Sequence, residues 1–201
     1  MIKLGVLISG SGTNLQAIID AIASHTLDAE VVLVISSKPN AYGLVRAHEA
    51  GIHTMALTKE AYLDPIQADV LIAEELKSAG AEYVVMAGYM RKVNYPILNS
   101  YQDRVINIHP ALLPSFKGGH GISDAFAYGV KVTGVTVHFA NEEYDKGPII
   151  AQCAVAVTEE DTLETLENKL HAVEHELYPQ ALQLIAEGRV SIDSARKVHI
   201  T

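Results

Sequence analysis

The stretch Arg104-Val105-Ile106-Asn107-Ile108-His109-Pro110 decides how the rest of this sequence is interpreted. Its pattern is that of a β-strand, in which side chains alternate between two faces, so Asn107 and His109 share one face. Pro110 cannot donate a hydrogen bond to a sheet, and we expect the strand to end there. Ligands of open α/β sheets bind at the carboxyl edge of the strands. The pair is therefore a candidate catalytic site, although a polar strand end that caps a core has the same pattern.

The segments before this strand alternate between short apolar runs and helical patterns. Parallel strands joined by crossover helices satisfy such an alternation. Beyond Gly134 apolar and polar residues alternate and a second run follows, which indicates antiparallel strands added by a hairpin. The sequence thus predicts an α/β fold with an open, mostly parallel, Rossmann-like sheet, helices on both faces and C-terminal antiparallel strands. The parallel strands are predicted at residues 4–8, 30–35, 52–57, 82–87 and 104–109.

Helix ends carry their own signals. Asp64-Pro65 has the form of an N-cap followed by proline in the first turn of a helix. Asp161 and Glu164 have the spacing of a capping box, which predicts a helix that starts there. Pro179 is expected to interrupt that helix before a last short one, because proline lacks the N–H that a helix interior needs. The tail 189–201 is expected to form a small hairpin or a loose end.

The length and composition are those of one globular domain, residues 1–201. Of the 201 residues, 49% are hydrophobic and 19% are charged, which favours a folded core over disorder. The net charge of -9 disfavours a nucleic-acid surface, which needs a basic stripe. Small anionic substrates remain compatible with it, because a few backbone N–H groups can bind a phosphate.

The chain has one cysteine, Cys153, which lies in an apolar run and is expected to be a buried structural thiol. No signal peptide and no membrane-spanning apolar run is recognisable. These features predict a cytoplasmic protein without a membrane partner. Because the first predicted strand begins almost at Met1, no regulatory domain is expected ahead of it.

The segment Gly10-Ser11-Gly12-Thr13-Asn14 joins the first strand to a helix and suits an anion such as a phosphate. A dinucleotide site would need a third glycine, but Leu15 occupies that position, and Ser36-Ser37 supplies no acidic residue for a ribose. A P-loop would need Gly-Lys-Ser/Thr, which is absent. The N–H groups of Gly12, Thr13 and Asn14 therefore form a candidate monophosphate site. A glycine turn that only packs helix against strand remains the alternative.

The sequence His171-Ala172-Val173-Glu174-His175 matches the H-x-x-E-H arrangement of some metallopeptidases. Residues four apart on a helix share a face, so the two histidines could meet. A third ligand is not evident, and Pro179 follows closely. We expect a solvated helix face here and no metal, with a zinc hydrolase kept as a rival.

Taken together, five motifs resemble the phosphoribosylglycinamide formyltransferases, folate-dependent enzymes of purine synthesis. The likeness extends over nearly the whole chain and preserves the order and spacing of the motifs. They are Ile8-Ser9-Gly10-Ser11-Gly12-Thr13-Asn14-Leu15-Gln16-Ala17-Ile18, Ala87-Gly88-Tyr89-Met90-Arg91, Asn107-Ile108-His109-Pro110-Ala111-Leu112-Leu113-Pro114, Gly134-x-Thr136-Val137-His138-Phe139 and Asp145-x-Gly147-Pro148-Ile149-Ile150.

The resemblance implies transfer of a formyl group from 10-formyltetrahydrofolate to the amino group of glycinamide ribonucleotide, without a metal. It implies a catalytic trio of Asn107, His109 and Asp145. The ribonucleotide would be bound by Gly12, Thr13, Asn14, His120 and Glu174. The folate would be bordered by Lys59, Met90, Arg91, Lys92, Val93, Asn141, Glu142, Glu143 and Tyr144, together with Asn107 and Asp145. Within the single domain, the resemblance implies a phosphate- and nucleotide-binding N-terminal half and a folate-binding and catalytic C-terminal half. The oligomeric state is not implied.

The residue types of the trio suit that reaction. Attack of an amine on a formyl carbonyl builds negative charge on oxygen, which an amide such as Asn107 can stabilise by donating hydrogen bonds. Protons must also move from the amine to the departing folate nitrogen, and His109 is a suitable carrier. The chain departs from the family pattern at Lys59, Lys92 and Lys117, which concerns the folate contacts and the loop after the trio.

Other functions share parts of this pattern. Methionyl-tRNA formyltransferase and formyltetrahydrofolate hydrolase also carry the Asn-x-His-Pro and Asp motifs. The first adds a tRNA-binding domain and the second usually an N-terminal regulatory domain, and neither is expected here. A non-catalytic nucleotide-binding module could keep Gly10-Ser11-Gly12 but would not need Asn107, His109 and Asp145 together.

Overall fold

The computed structural model describes all residues from Met1 to Thr201 and contains a seven-stranded sheet. Its strands are β1 Ile2–Ile8, β2 Ala29–Ser36, β3 Thr54–Ala56, β4 Tyr83–Met86, β5 Val105–His109, β6 Val132–Phe139 and β7 Ile149–Ala156. They lie in the order β3-β2-β1-β4-β5-β6-β7. Strands β1 to β5 pair in parallel, whereas β6 and β7 extend the sheet with antiparallel pairing. The predicted α/β sheet is confirmed.

Helices cover both faces of this sheet. They are α1 Thr13–Ala23, α2 Tyr42–Glu49, α3 Pro65–Ser78, α4 Tyr95–Ser100, α5 Gly121–Tyr128 and α6 Leu163–Ala186, with a 3-10 helix at Glu60–Leu63. One core lies between the sheet and α1, α2, α5 and α6, and a second lies under α3, α4 and the 3-10 helix. None of these helices combines the length and the apolar character that crossing a membrane requires.

The central parallel strands are buried on both faces. In β1, Leu4, Val6 and Ile8 belong to one core while Leu7 belongs to the other. Parallel strands covered by helices on both sides are continuous apolar runs, which is why residues 4–8 could be recognised from the sequence. Because β1, β4 and β5 are neighbours and run the same way, their carboxyl ends meet at one edge of the sheet.

The predicted start of α3 is confirmed. The Asp64 side chain accepts hydrogen bonds from the backbone N–H groups of Ile66 and Gln67, and Pro65 occupies the first helical position. These bonds satisfy donors that the first turn of a helix otherwise leaves free. At the other end of the preceding helix, Gly51 follows α2 with a φ of 72°.

The predicted interruption of the last long helix is wrong, because α6 runs unbroken through Pro179. Proline removes one N–H donor from the helix ladder. However, Tyr178, Leu182 and Ile185 on both sides of it are buried in the same core. Burial of several large side chains outweighs one missing hydrogen bond, so the helix continues.

The predicted capping box of α6 is displaced by one residue. The Thr162 hydroxyl accepts from the N–H of Thr165, and the Thr165 hydroxyl accepts from the N–H of Thr162. Asp161 precedes this cap and accepts from the Thr158 N–H and from Lys169 Nζ. Two threonines thus form the reciprocal cap that was predicted for Asp161 and Glu164.

Other differences from the expectations are local. Helices α4 and α5 and the 3-10 helix were not predicted. The tail forms the predicted hairpin, with strands β8 Val190–Ile192 and β9 Val198–Ile200. Cys153, expected to be buried, is partly exposed, because β7 is the edge strand of the sheet.

Tyr178 ties α6 to the centre of the sheet. Its side chain is fully buried, and its hydroxyl donates towards the carbonyl oxygens of Met86 in β4 and Ile106 in β5, at 3.1 and 2.9 Å. A buried hydroxyl needs a partner, and the two carbonyls belong to the neighbouring strands β4 and β5. The bond therefore fixes α6 relative to the strand ends that carry the candidate site.

Replacing Tyr178 by phenylalanine should keep the buried ring and remove this hydrogen bond. We expect Tyr178→Phe to lower the free energy of unfolding by about 1–2 kcal/mol, because two buried carbonyls lose a donor. Urea denaturation measures the difference. The matched control is Tyr128→Phe, since Tyr128 is 80% exposed and should change stability by less than about 0.5 kcal/mol. Equal stabilities of both variants would contradict this role of Tyr178.

Candidate active site

Asn107 and His109 lie at the carboxyl end of β5, as predicted. Ile106 and Ile108 point from the opposite face into the core shared with α1 and α6. His109 is only 4% exposed, and Asn107 is partly buried. The alternation of the strand therefore places an amide and an imidazole on one face of the sheet, at the edge where ligands of such folds bind.

A second histidine, His138, belongs to the same cluster. Strand β6 pairs with β5 so that His138 lies opposite Asn107, and its Nε2 is 3.2 Å from Asn107 Nδ2. Its Nδ1–H donates to the carbonyl of Phe139 at 2.9 Å, which fixes the ring. His138 lies in one of the five motifs of the resemblance, but no role in the site was predicted for it. The alternation of residues along β6 can be recognised in the sequence. The register of β6 against β5, which places His138 opposite Asn107, cannot.

Asp145 comes from the loop between β6 and β7. Its carboxylate lies 3.6 Å from His109 Nδ1 and 3.6 Å from His138 Nε2, and it accepts a hydrogen bond from the Gly118 N–H at 2.7 Å. It is 8% exposed and has a φ of 51°. The structure therefore brings Asn107, His109 and Asp145 together, with His138 between them.

The loop reaches this position because Gly147 has no side chain. A Cβ at residue 147 would lie 1.6 Å from the carbonyl oxygen of Phe139, so only glycine allows the returning chain to pass so close to β6. The Phe139 N–H also donates to the carbonyl of Pro148. This contact folds the loop back over the end of β6 and sets Asp145 against the two imidazoles.

The segment that follows His109 covers the other side of the ring. His109 Nε2–H donates to the carbonyl of Phe116 at 2.7 Å. The start of this segment is held by Thr136 in β6, whose hydroxyl donates to the Ala111 carbonyl and accepts from the Leu113 N–H. The ring of His109 is thus fixed between a backbone carbonyl and the Asp145 carboxylate.

The charge of Asp145 is set by opposing effects. Burial works to raise the pKa of its carboxyl, but the His138 imidazole, the Gly118 N–H and the charge on His109 favour the ionised form. The net result is a pKa below the ordinary value. Asp145 is therefore an anion held beside two imidazole rings.

Next to this cluster lies a pocket with about 350 Å³ of empty space, a volume that includes its opening to solvent. Asn107, His138 and Asp145 of the cluster line it. Its wall also contains eight other residues, six of them predicted folate contacts: Arg91, Lys92, Val93, Asn141, Glu143 and Tyr144, with Met86 and Ala140 completing the wall. A pocket that mixes apolar and charged walls beside a cluster of polar and titratable side chains suits a ligand with both characters.

Three residues that the resemblance assigned to the folate do not line this pocket. Met90 is 72% exposed, with its side chain outside the wall. Glu142 lies in the same loop as Glu143 without reaching the pocket, and Lys59 precedes the 3-10 helix. Their folate contacts stay predictions.

The glycine loop after β1 begins α1 with free backbone donors. Gly12 is the N-cap, has a φ of 71° and gives no side-chain cap, and the first helical bond runs from the Gln16 N–H to its carbonyl. The N–H groups of Thr13 and Asn14 therefore face outward at the positive end of the helix dipole. A Cβ on Gly12 would lie 2.5 Å from the Cα of Gly43, so close packing against α2 also requires this glycine.

Helix α6 brings Glu174 to this loop. The Glu174 carboxylate is buried, at 4% exposure, and Asn14 Nδ2 donates to it at 3.3 Å. His171 Nδ1, one turn earlier on α6, also faces it at 2.8 Å. The Oδ1 atom of Asn14 is buried without a hydrogen-bond partner. An unpaired buried acceptor beside a buried carboxylate is suited to bind a ligand that donates hydrogen bonds.

The remaining histidines differ in their surroundings. His120 is exposed at the start of α5, in the loop that also contributes Gly118. His171 is exposed, as expected for a solvated helix face, but His175 is partly buried and stacks against it at a centroid distance of 6.5 Å. No group of three or more His, Cys, Asp or Glu side chains is arranged to hold a metal ion.

Comparison with known proteins identifies the class. The sequence profile of the formyl transferase family matches residues 2–182, so this chain belongs to that family. Its relatives include the phosphoribosylglycinamide formyltransferase of Bacillus subtilis (strain 168). The two are 39% identical over 183 residues, which make up 91% of this chain and 94% of that protein.

Solved structures and longer relatives agree with this assignment. Glycinamide ribonucleotide transformylase 1 from Symbiobacterium toebii matches with a TM-score of 0.96 and 47% identity, covering 100% of this chain and 94% of that one. The trifunctional purine biosynthetic protein adenosine-3 of Gallus gallus is 42% identical over 197 residues. Those residues are 98% of this chain but 20% of that protein, so the chain spans about a fifth of the length of this trifunctional relative.

The lowered pKa of Asp145 makes a prediction about stability. A carboxyl whose pKa is lower in the folded state contributes stability that is fully present above its unfolded pKa and is lost as the pH falls through the folded value. We expect Asp145→Asn to have a shallower fall in the free energy of unfolding than the wild type between about pH 5 and pH 2. Urea denaturation at several pH values measures it. Asp124→Asn, at an exposed position, should keep the wild-type profile; identical profiles for both variants would contradict the assigned pKa.

Proposed function

We propose that the protein transfers a formyl group from 10-formyltetrahydrofolate to the amino group of glycinamide ribonucleotide, in de novo purine biosynthesis. The products are N-formylglycinamide ribonucleotide and tetrahydrofolate. The observation that carries this proposal is the convergence of Asn107, His109 and Asp145 beside a pocket, in a chain that belongs to the formyl transferase family. The relatives named phosphoribosylglycinamide formyltransferase support it.

The reaction forms one C–N bond and breaks another. The amine of the ribonucleotide attacks the formyl carbon, which gives a tetrahedral intermediate with negative charge on oxygen. The bond between that carbon and the folate nitrogen then breaks, and the proton lost by the amine goes to the departing nitrogen. The site must therefore stabilise an oxyanion and move a proton.

Asn107 is the proposed oxyanion donor. Its Nδ2 carries two N–H groups, of which one faces His138 Nε2. The other N–H group is left for the oxygen of the intermediate. Because His138 is fixed by the Phe139 carbonyl, the amide is held in place before the substrate arrives, which is the condition for effective electrostatic stabilisation.

His109 is the proposed proton carrier, and Asp145 supplies the negative charge that balances its protonated ring. The two groups lie 3.6 Å apart and both are buried, so their attraction is weakly screened. Asp145 is also held by the Gly118 N–H, which keeps its orientation fixed. Neither a metal nor a covalent intermediate is needed for this chemistry.

The two halves of the chain contribute different parts of one catalytic unit, residues 1–201. We assign the phosphate of the ribonucleotide to the N–H groups of Gly12, Thr13 and Asn14, and its glycinamide or ribose part to Glu174. His120 is assigned near the ribonucleotide from the resemblance alone. The formyl-folate is assigned to the pocket formed by the loops after β4 and β6. The net charge of -9 supports small-molecule substrates over nucleic acid, and a cytoplasmic location is part of the proposal.

Hydrolysis of the formyl-folate is the alternative, with water in place of the amine. The pairing of buried Glu174 with Asn14, and the unpaired Asn14 Oδ1, favour a second organic substrate, because water would not need such a site. An absorbance assay that follows folate release, with and without glycinamide ribonucleotide, separates the two. Release that requires the ribonucleotide supports transfer, and equal release without it supports hydrolysis.

Removing the imidazole of residue 109 should abolish transfer. We expect His109→Ala to lower kcat by at least about 100-fold, because general acid–base catalysis contributes 10²–10⁴-fold. The folate-release assay measures the rate, and circular dichroism checks the fold. His48→Ala, at an exposed position on α2, is the matched control and should keep full activity. Full activity of His109→Ala would refute the proposed mechanism.

Neutralising residue 174 should weaken ribonucleotide binding selectively. Glu174→Gln keeps the shape of the side chain and removes the charge that Asn14 contacts. We expect the KM for glycinamide ribonucleotide to rise by about tenfold or more while the KM for the folate stays unchanged. Glu176→Gln, exposed on the same helix, is the control. A rise in the folate KM instead would show that Glu174 has been assigned to the wrong substrate.

A further inference from the structure

One wall of the folate pocket is a loop without regular structure. The residues between β4 and α4 include Arg91, Lys92 and Val93, which line the pocket. A loop of this kind keeps its shape only if side chains from elsewhere bind its backbone groups. Two buried side chains outside the catalytic trio do so, one at each end of the segment 90–94.

The first anchor is Ser9, at the end of β1. Its hydroxyl is 2% exposed, accepts from the Met90 N–H at 2.8 Å and lies 2.6 Å from the hydroxyl of Ser37. Ser9 directly precedes the glycine loop of the ribonucleotide site. A change at Ser9 would therefore disturb both substrates, so it cannot distinguish them.

The second anchor is Asp69, on α3. Its carboxylate Oδ2 accepts from the backbone N–H of Asn94 at 2.6 Å and from Asn94 Nδ2 at 3.0 Å. Hydrogen bonds to a charged acceptor are short and strong, so these two fix the residue that follows the pocket wall and begins α4. Asp69 makes no hydrogen bond to the catalytic cluster or to the glycine loop.

Asp69 is costly to bury, which argues against a role in packing alone. It is 2% exposed and lies on the face of α3 that contains Ala68, Ile72 and Leu76. Burial raises the pKa of its carboxyl, and the two bonds from Asn94 oppose that effect. An apolar residue there would stabilise the helix face at lower cost, so the carboxylate is explained by what it binds.

The middle of the loop is held against the same region. The Arg91 guanidinium lies 4.1 Å from the centre of the Tyr62 ring, and the hydroxyls of Tyr62 and Tyr89 are 2.9 Å apart. Asp69 is near enough to both tyrosines that its charge contributes to raising their pKa values. Anchors at both ends and a cation–π contact in the middle therefore define the wall.

We propose that Asp69 is a positioning residue for the folate subsite: through Asn94 it holds Arg91, Lys92 and Val93 in the geometry that receives the formyl-folate. This inference rests on the proposed function for the identity of the ligand. Asp69 does not touch the reacting atoms, which lie near β5 and the Asp145 loop. Its loss should therefore weaken folate binding equally in the ground state and the transition state, raising KM and leaving kcat unchanged.

The test compares two variants of Asp69 with a matched variant on the same helix. Asp69→Ala removes both bonds to Asn94, and Asp69→Asn keeps one oxygen that can accept them but removes the charge. Asp64→Ala removes the N-cap of α3, which destabilises the same helix without touching the loop. We expect the KM for 10-formyltetrahydrofolate to rise about tenfold in Asp69→Ala, less in Asp69→Asn and not at all in Asp64→Ala. The KM for glycinamide ribonucleotide and kcat should stay within about twofold in all three.

The outcomes separate this inference from the proposed function. An unchanged folate KM in Asp69→Ala, or an equal rise in Asp64→Ala, overturns the role of Asp69 while the wild-type reaction stands. If the wild type transfers no formyl group, the proposed function fails, and calorimetric titration of 10-formyltetrahydrofolate alone into the same proteins decides the inference. Weaker binding only in the Asp69 variants supports it, and equal binding overturns it.

Amide hydrogen exchange gives a readout that needs no ligand and no activity. In the Asp69 variants we expect faster exchange of the amides in segment 90–94, with wild-type protection in β5. Asp69→Asn supplies this measurement should Asp69→Ala fail to fold. An unchanged exchange rate of the Asn94 amide in a folded variant overturns the proposal. It would show that the hydrogen bond from Asn94 to Asp69 does not stabilise the loop.

Discussion

The site depends on one buried carboxylate, that of Asp145, which must remain charged between two imidazoles. A carboxylate removed from water is destabilised by several kcal/mol unless other groups compensate it. Here the compensation comes from His109 on β5, His138 on β6 and the Gly118 N–H in the loop after β5. Three features of the C-terminal half assemble these partners: the pairing of β5 with β6, the return of the chain past Phe139 and the loop that covers His109. Each of them is needed to keep the Asp145 carboxylate charged.

Much of the fold could be predicted because its strands are buried on both faces. Such strands are continuous apolar runs, and the start of a helix between them can be recognised from a capping sequence such as Asp64-Pro65. Where prediction failed, local rules competed with tertiary burial. Pro179 was predicted to end a helix. However, the apolar side chains on both sides of it are buried in the same core, so α6 continues through this residue. The cap of α6 failed by one residue, because Thr162 and Thr165 form the same reciprocal bonds that an acidic pair can form.

The residues of the candidate site were likewise predicted only in part. Asn107 and His109 follow from the alternation of one strand, and Asp145 was assigned through the family motif. His138 was missed because its place depends on which residue of β6 lies opposite Asn107, and that register is a property of two segments far apart in sequence. Asp69 was missed for a similar reason. An acidic residue on an amphipathic helix looks solvated in the sequence, and only the structure shows that it faces the N–H of Asn94.

The contact between Gly12 and Gly43 has a consequence for how this family can evolve. A side chain at residue 12 would meet the backbone of residue 43, and one at residue 43 would meet Ile8 Cδ1 at 2.6 Å and Gly12 Cα at 3.1 Å. Neither position can therefore change alone without moving the other helix. The two sites should show epistasis, so that a larger residue at one is tolerated only in lineages where the backbone near the other has already shifted.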